Sequence, residues 1–220
     1  EDTHGAVYEM LEADTLAQYI MDHPDEVEVV AEKAAKLLKE MHQKELPFGF
    51  LKPAKNTLQD WLNDAKPYLS SDEISSLSDI INNFKDTNTF LHLDFHTKNV
   101  MVREGELVII DLDDACVGDP LIDIACLMMS MCNDTWGDEE CLHFVGMTKS
   151  LKDSYIKKFL ETYFDTTNEA QIDSVLAKLR PINGLRTIHA RVNRLGMSEE
   201  ARKAKIDEAV VYIRDALKNA

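Results

Sequence analysis

The hydrophobic pattern changes period twice along this chain, and that limits the folds open to it. From Asp25 to Glu45, DEVEVVAEKAAKLLKEMHQKE places Val27, Val30, Ala31, Ala34, Leu37, Leu38 and Met41 at intervals of three and four, with charges between them. That spacing predicts an amphipathic helix. LPFGFLKP breaks it through Pro47, Gly49 and Pro53. A short helix follows around Leu58 to Ala65, and Ser70-x-x-Glu73 matches a capping box opening another that runs to about Phe84. The period then shortens. TFLHL, NVMVR and ELVIID are brief and rich in β-formers, and Glu104-Gly105 between the last two predicts a β-hairpin. After Pro120, LIDIACLMMSM, SLKDSYIKKFLETYF and EAQIDSVLAKLR return to helical spacing, and Ser198 can cap a last helix reaching Leu217. AVYEML, Ala6 to Leu11, has the look of a short strand ahead of all this. The expectation is an α+β chain, predominantly α-helical, with one small β insertion.

The formal net charge of −16 argues against a nucleic-acid partner, because proteins that hold a phosphate backbone carry basic patches. It fits a solvated acidic surface or a pocket that attracts a cationic substrate. The four cysteines, Cys116, Cys126, Cys132 and Cys141, form no C-x-x-C pair, and two lie in an apolar helical run. They are expected to be buried thiols of a reducing compartment. No apolar run is long enough to span a bilayer, and no secretory signal precedes the chain, so a cytoplasmic protein without a membrane partner is expected. The chain begins with Glu1 and reaches AVYEML almost at once, as if cut or processed from something longer.

HLDFHTKN, His92 to Asn99, concentrates the chemistry. On an extended segment His92, Asp94 and His96 would point the same way, and imidazole and carboxylate are acceptable ligands for zinc or iron. A metal-dependent hydrolase is therefore one reading. Phosphoryl transfer is another. It needs a carboxylate to orient the attacking hydroxyl and accept its proton, and an amide oxygen and second carboxylate to hold Mg²⁺ between the nucleotide phosphates. His92-x-Asp94-x-x-x-x-Asn99 has the spacing of the protein-kinase H-R-D-x-x-x-x-N loop, and Asp111-Leu112-Asp113 stands in the D-F-G place, with the hairpin joining the two.

The two blocks HLDFHTKN and IDLDDACVGDPLID resemble the aminoglycoside phosphotransferase and choline kinase group of small-molecule kinases, whose pattern is H-G-D-x-H-x-x-N and then I-D-x-x-x-x-x-x-G-D-P-x-x-D. AVYEML looks like the hinge of such kinases, and LLKEMHQ like the helix that precedes their active site, with Met41-His42 at its end. The resemblance implies a protein-kinase-like carboxy-terminal lobe with a small β-hairpin at the active site. Residues 1–11 would be a hinge-like strand remnant and 12–220 the catalytic and substrate-binding lobe. It implies Asp94 as catalytic base, Asn99 and Asp111 as Mg²⁺ ligands, and His92 and Asp123 as hydrogen-bonded braces. Asp119, with Pro120, would close the segment, and the backbone of Glu9 and Leu11 would meet the adenine of ATP or GTP. Asp113 is a possible metal or substrate contact. Leu93 stands where the family has Gly, and Thr97 where it has Pro.

The eight glycines include no G-x-G-x-x-G, so the loop that covers the phosphates in kinases, and the lobe bearing it, are expected to be absent from this chain. On that expectation the fragment alone has little activity, and a non-catalytic pseudokinase or binding module is a competing reading. The acceptor would be a small hydroxylated molecule such as an aminoglycoside or a choline-like compound. Asp113, Asp138, Glu139 and Glu140 are candidate acidic contributors to its pocket, while Arg186, Arg191 and Arg194 are expected chiefly to pair with surface carboxylates, with binding of an anionic acceptor as the alternative.

Overall fold

Helix α8, Glu169–Val192, is the spine on which the other elements assemble. It packs on α3 (Ala54–Ala65), α5 (Leu121–Met131) and α9 (Glu199–Lys218), and touches α4 (Ser71–Asn83). The computed structural model describes residue 10 and residues 12–132 and 135–218. The predicted strand AVYEML lies outside these, Met10 apart. The first described strand is β1, Asp14–Thr15, which leads into α1, Leu16–Asp22, a short helix the hydrophobic pattern does not announce. The amphipathic segment forms α2, Val27–Met41, behind a 3₁₀ turn at Pro24–Glu26. Its apolar face packs against α7, Lys149–Tyr163.

Ser70 and Glu73 form the capping box at the start of α4. The Ser70 hydroxyl accepts the Glu73 N–H at 3.3 Å, and the Glu73 carboxylate accepts the Ser70 N–H at 2.7 Å. TFLHL contributes only β2, Phe90–Leu91, which pairs antiparallel with β5, Cys116–Val117. The hairpin forms as expected. β3, Val100–Arg103, and β4, Glu106–Ile109, pair from Val100↔Ile109 to Arg103↔Glu106. Glu104 and Gly105 both take positive φ, 53° and 83°, as a two-residue turn twisted to match its strands requires. β1 pairs with the outer side of β3.

EAQIDSVLAKLR does not stop at Arg180. Helix α8 runs on through Pro181, which is buried within it. An interior proline costs a helix about 3 kcal/mol. Burial of Ile182, Leu185 and Ile188, each 0 % exposed, outweighs it, since a buried aliphatic side chain contributes roughly 1.5–3 kcal/mol. Helix α6, Asp138–Phe144, links α5 to α7. All four cysteines are unbridged, with Cys116, Cys126 and Cys141 buried. Among the described residues no helix is long and apolar enough to cross a membrane.

Gly184 is where α8 and α9 meet most closely. A Cβ there would lie 2.3 Å from Ile213 Cγ1. Gly184→Ala should therefore lower stability by about 1–3 kcal/mol, the usual cost of overpacking, despite the ~1 kcal/mol that alanine contributes to a helix interior. The urea midpoint of the variant checks this.

Candidate active site

The segment between β2 and β3 is a tight loop, not an extended strand, because Leu93 sits at φ 63°. A non-glycine residue there is strained by about 1–2 kcal/mol. Two features hold it. The Leu93 side chain is 1 % exposed, a burial that contributes more than the strain costs, and its N–H is clamped by the Asp123 carboxylate at 2.6 Å. Packing thus holds Leu93 in a backbone shape that glycine takes at no steric cost.

Asp123, on α5 and 1 % exposed, organises the back of the loop. Its Oδ1 accepts Leu93 N–H, and its Oδ2 accepts both His92 N–H and His42 Nε2–H, each at 2.9 Å. His42 Nδ1 in turn accepts the Tyr163 hydroxyl at 2.7 Å. Burial, with the charges of Asp123 and Asp119, raises the Tyr163 pKa and keeps that hydroxyl protonated as a donor. Asp123→Ala would leave three buried donors without an acceptor. At roughly 1–3 kcal/mol for each unsatisfied group, a loss of about 3 kcal/mol or more is expected, read as a shift in the denaturant midpoint. Asp119 closes the segment after β5, tying the start of α5 to the end of α4 rather than to this loop. Its Oδ1 accepts Leu121 N–H at 3.0 Å and its Oδ2 accepts Lys85 N–H at 3.1 Å.

His92 is fully buried, and both ring nitrogens are spoken for. Nδ1 accepts Asp94 N–H at 3.2 Å, which places the proton on Nε2, where it is donated to Ile110 O at 3.1 Å. That leaves no lone pair for zinc or iron, so His92, Asp94 and His96 do not form a three-ligand cluster. Among the described residues no group of three or more His, Cys, Asp or Glu could hold a metal. Thr97 does more than replace the family's proline. Its hydroxyl donates to Val145 O at 3.0 Å and its carbonyl accepts Ala17 N–H at 3.0 Å, pinning the loop to α1 and to the end of α6.

Asp94 lies at the open side of this frame with its side chain 31 % exposed. Asn99 Nδ2 donates to Asp94 O and Oδ2, both at 3.0 Å. His96 Nε2 lies 3.4 Å from Oδ2, and Arg186, reaching from α8, donates to Oδ1 at 2.5 Å. Burial pushes the Asp94 carboxyl upward, but His96 and the Arg186 charge overcome it and hold the pKa at about 2. By distance the arginine is the stronger partner. It also donates to Leu93 O, lies against the Cys126 thiol and stands 5.7 Å over the Trp61 ring. Arg186 therefore does not pair with a surface carboxylate. Its partner is the candidate base.

Asn99 and Asp111 are brought together by the hairpin, since Ile110 N–H donates to Asn99 O at 3.0 Å. The Asn99 amide nitrogen is committed to Asp94, leaving its oxygen for another group. Asp111 is exposed, at φ 61°, and its carboxylate has no partner among the described residues. An amide oxygen and a carboxylate are the hard donors Mg²⁺ takes, so the pair fits that ion. Asp113 is also exposed. Asp138 and Glu140 serve as helix caps, accepting the N–H groups of Lys149 at 2.7 Å and Gly137 at 3.1 Å. Glu9 and Leu11 lie outside the described residues.

Residues 2–171 match the model of the phosphotransferase enzyme family, APH. The chain belongs to that family. Solved structures agree in fold. An ADP-bound aminoglycoside phosphotransferase, APH(2'')-Ib, superposes with a TM-score of 0.57 at 20 % identity, over 96 % of this chain and 71 % of that one. An amicoumacin kinase in complex with AMP-PNP, Ca²⁺ and Ami gives 0.60 at 15 %, over 94 % and 64 %. A choline kinase from Cryptosporidium parvum gives 0.55 at 11 %, over 95 % and 70 %. No curated protein matches the chain. The kinase-like fold anticipated from HLDFHTKN is thus the fold the family shares.

Proposed function

We propose that this chain is the catalytic and acceptor-binding lobe of a small-molecule kinase that moves the γ-phosphoryl group of ATP or GTP to a hydroxyl. The observation that carries the reading is the arrangement of Asp94, Asn99 and Asp111. A carboxylate held ionised lies at the open side of the loop against Asn99, and the Asn99 amide oxygen and the Asp111 carboxylate have no hydrogen-bond partner among the described residues. Asp94 would orient the acceptor hydroxyl and receive its proton as the bond to phosphorus forms. Asn99 and Asp111 would hold Mg²⁺, which when bound neutralises charge on the transferring phosphates. His92 and Asp123 would keep the loop in shape, Asp119 with Pro120 would close the segment before α5, and Asp113 stands where it could touch metal or acceptor. Glu9 and Leu11 would meet the nucleotide base. In this reading residues 1–11 form the hinge and 12–220 the lobe, working in the cytoplasm.

A phosphate-covering glycine loop has no counterpart among the chain's glycines, so the lobe on its own should transfer little. That same feature favours the second reading, a non-catalytic binding module. Relatives in fold include an aminoglycoside phosphotransferase and a choline kinase, and the net charge of −16 suits a cationic acceptor of that kind. The test is a screen of aminoglycosides, choline and other hydroxylated amines with the full-length protein, ATP or GTP, and Mg²⁺. Transfer to one of them supports the kinase. Nucleotide binding without transfer to any supports the binding module.

A further inference from the structure

Arg186 is 8 % exposed and sits 92 residues from Asp94 in sequence, yet it makes the shortest polar contact to that carboxylate, Nη2 to Oδ1 at 2.5 Å. Its other terminal nitrogen donates to Leu93 O, the carbonyl just before Asp94. One guanidinium therefore spans the strained residue and the side chain that follows it. Trp61 backs the planar group from α3, and the Cys126 thiol meets it from α5. A planar fork with several donors in fixed directions can make such a bridge, and an ammonium cannot.

An ionised carboxylate offers about four lone-pair directions. Asn99 and His96 approach Oδ2, and Arg186 takes one direction on Oδ1. One direction on Oδ1 is left for an acceptor hydroxyl. We infer that Arg186 is a positioning residue for phosphoryl transfer, which acts through Asp94 by fixing the rotamer of its carboxylate so that only this direction meets the acceptor. The inference rests on the reading of Asp94 as base. A further feature follows from the same contacts. The angle of α8 becomes part of the active-site geometry, although the helix lies far from the loop in sequence.

The titratable and charged groups facing the pair are His92 and His96 from the loop, Cys126 from α5, and Asp114 beyond β4. Burial keeps the Cys126 thiol protonated, its pKa raised to about 12, so it does not titrate with the pair.

The test compares Arg186→Met, Arg186→Lys and Asp94→Asn in the full-length protein, with ATP and the hydroxylated amine turned over in the screen above. Arg186→Met should cut kcat by about 10–100-fold, as misplacement of a reacting group does, with little change in nucleotide KM. Arg186→Lys should recover only part of the kcat, since the charge is kept but the bridge to Leu93 is lost. A carbon-detected NMR spectrum at fixed pH, with the Asp94 carboxyl assigned by difference from Asp94→Asn, should show that signal displaced and broadened in Arg186→Met without any turnover. Should Arg186→Met misfold, Arg186→Lys decides alone: reduced kcat with an unchanged nucleotide KM supports the clamp, and unchanged kcat overturns it. If Asp94→Asn abolishes transfer while Arg186→Met keeps the parent kcat, the clamp falls and the kinase reading stands. If Asp94→Asn leaves transfer intact, the base assignment falls and the positioning role falls with it.

Discussion

Asp94→Asn should lower the turnover of the full-length protein by about 10²–10⁴-fold, the usual contribution of a positioned general base, with nucleotide affinity unchanged. Asparagine is the right replacement because of what surrounds the carboxylate. Asp94→Ala would strand the Arg186 guanidinium in a buried site, and breaking one side of a buried ion pair costs about 3–5 kcal/mol. Lost activity could then be lost fold. The amide oxygen of the replacement asparagine can still accept from Arg186, so the loop is held while the proton acceptor is gone. Stability against pH gives an independent check. The folded pKa of Asp94, about 2, lies below the ordinary carboxylate value, so its ionised form stabilises the fold above the unfolded pKa. That contribution is lost as pH falls through about 4 toward about 2. Acid unfolding of Asp94→Asn should be less steep across that window. Full turnover in Asp94→Asn would remove Asp94 from the chemistry.

Local rules made much of the fold legible. The hairpin was readable because Glu104-Gly105 is a turn signal between two runs of β-formers, and α4 because its cap is written in two residues, Ser70 and Glu73. The path of α8 was not readable. Proline normally ends a helix, and only the burial of Ile182, Leu185 and Ile188 against three other helices carries the chain past Pro181. Helix α1 has seven residues, too few for the period to declare itself. Asp94, Asn99 and Asp111 stood out by their spacing. The partner of Asp94 did not, because the contact crosses 92 residues. Its one sequence signal was an arginine placed among Leu185, Ile182 and Ile188 on a helix, where a solvated charge has no place. The backbone strain at Leu93 was equally hidden, since a leucine gives no hint of positive φ.

Asp111→Asn should remove at least ~10³-fold of the transfer activity, since holding the metal against the phosphates is worth several kcal/mol in the transition state and each ~1.36 kcal/mol is tenfold in rate. The same change should leave the unfolding midpoint within about 0.5 kcal/mol of the parent, as for surface substitutions generally. Both halves of this prediction come from one geometry. Asp111 is exposed, its carboxylate bonds to no described residue, and its backbone sits at φ 61°. Asparagine is among the residues most at ease in that left-handed region, so the backbone loses nothing. A carboxylate with no hydrogen-bond partner among the described residues, held at positive φ one residue beyond the Ile110–Asn99 hydrogen bond, meets what the proposed metal role requires. The decisive measurement pairs thermal unfolding with Mn²⁺ binding in the presence of nucleotide, Mn²⁺ standing in for Mg²⁺. Unchanged unfolding with weakened Mn²⁺ binding and lost transfer assigns Asp111 to the metal. Parent-like Mn²⁺ binding and transfer would move the ligand elsewhere, with Asp113, two residues on and equally exposed, the next carboxylate to replace.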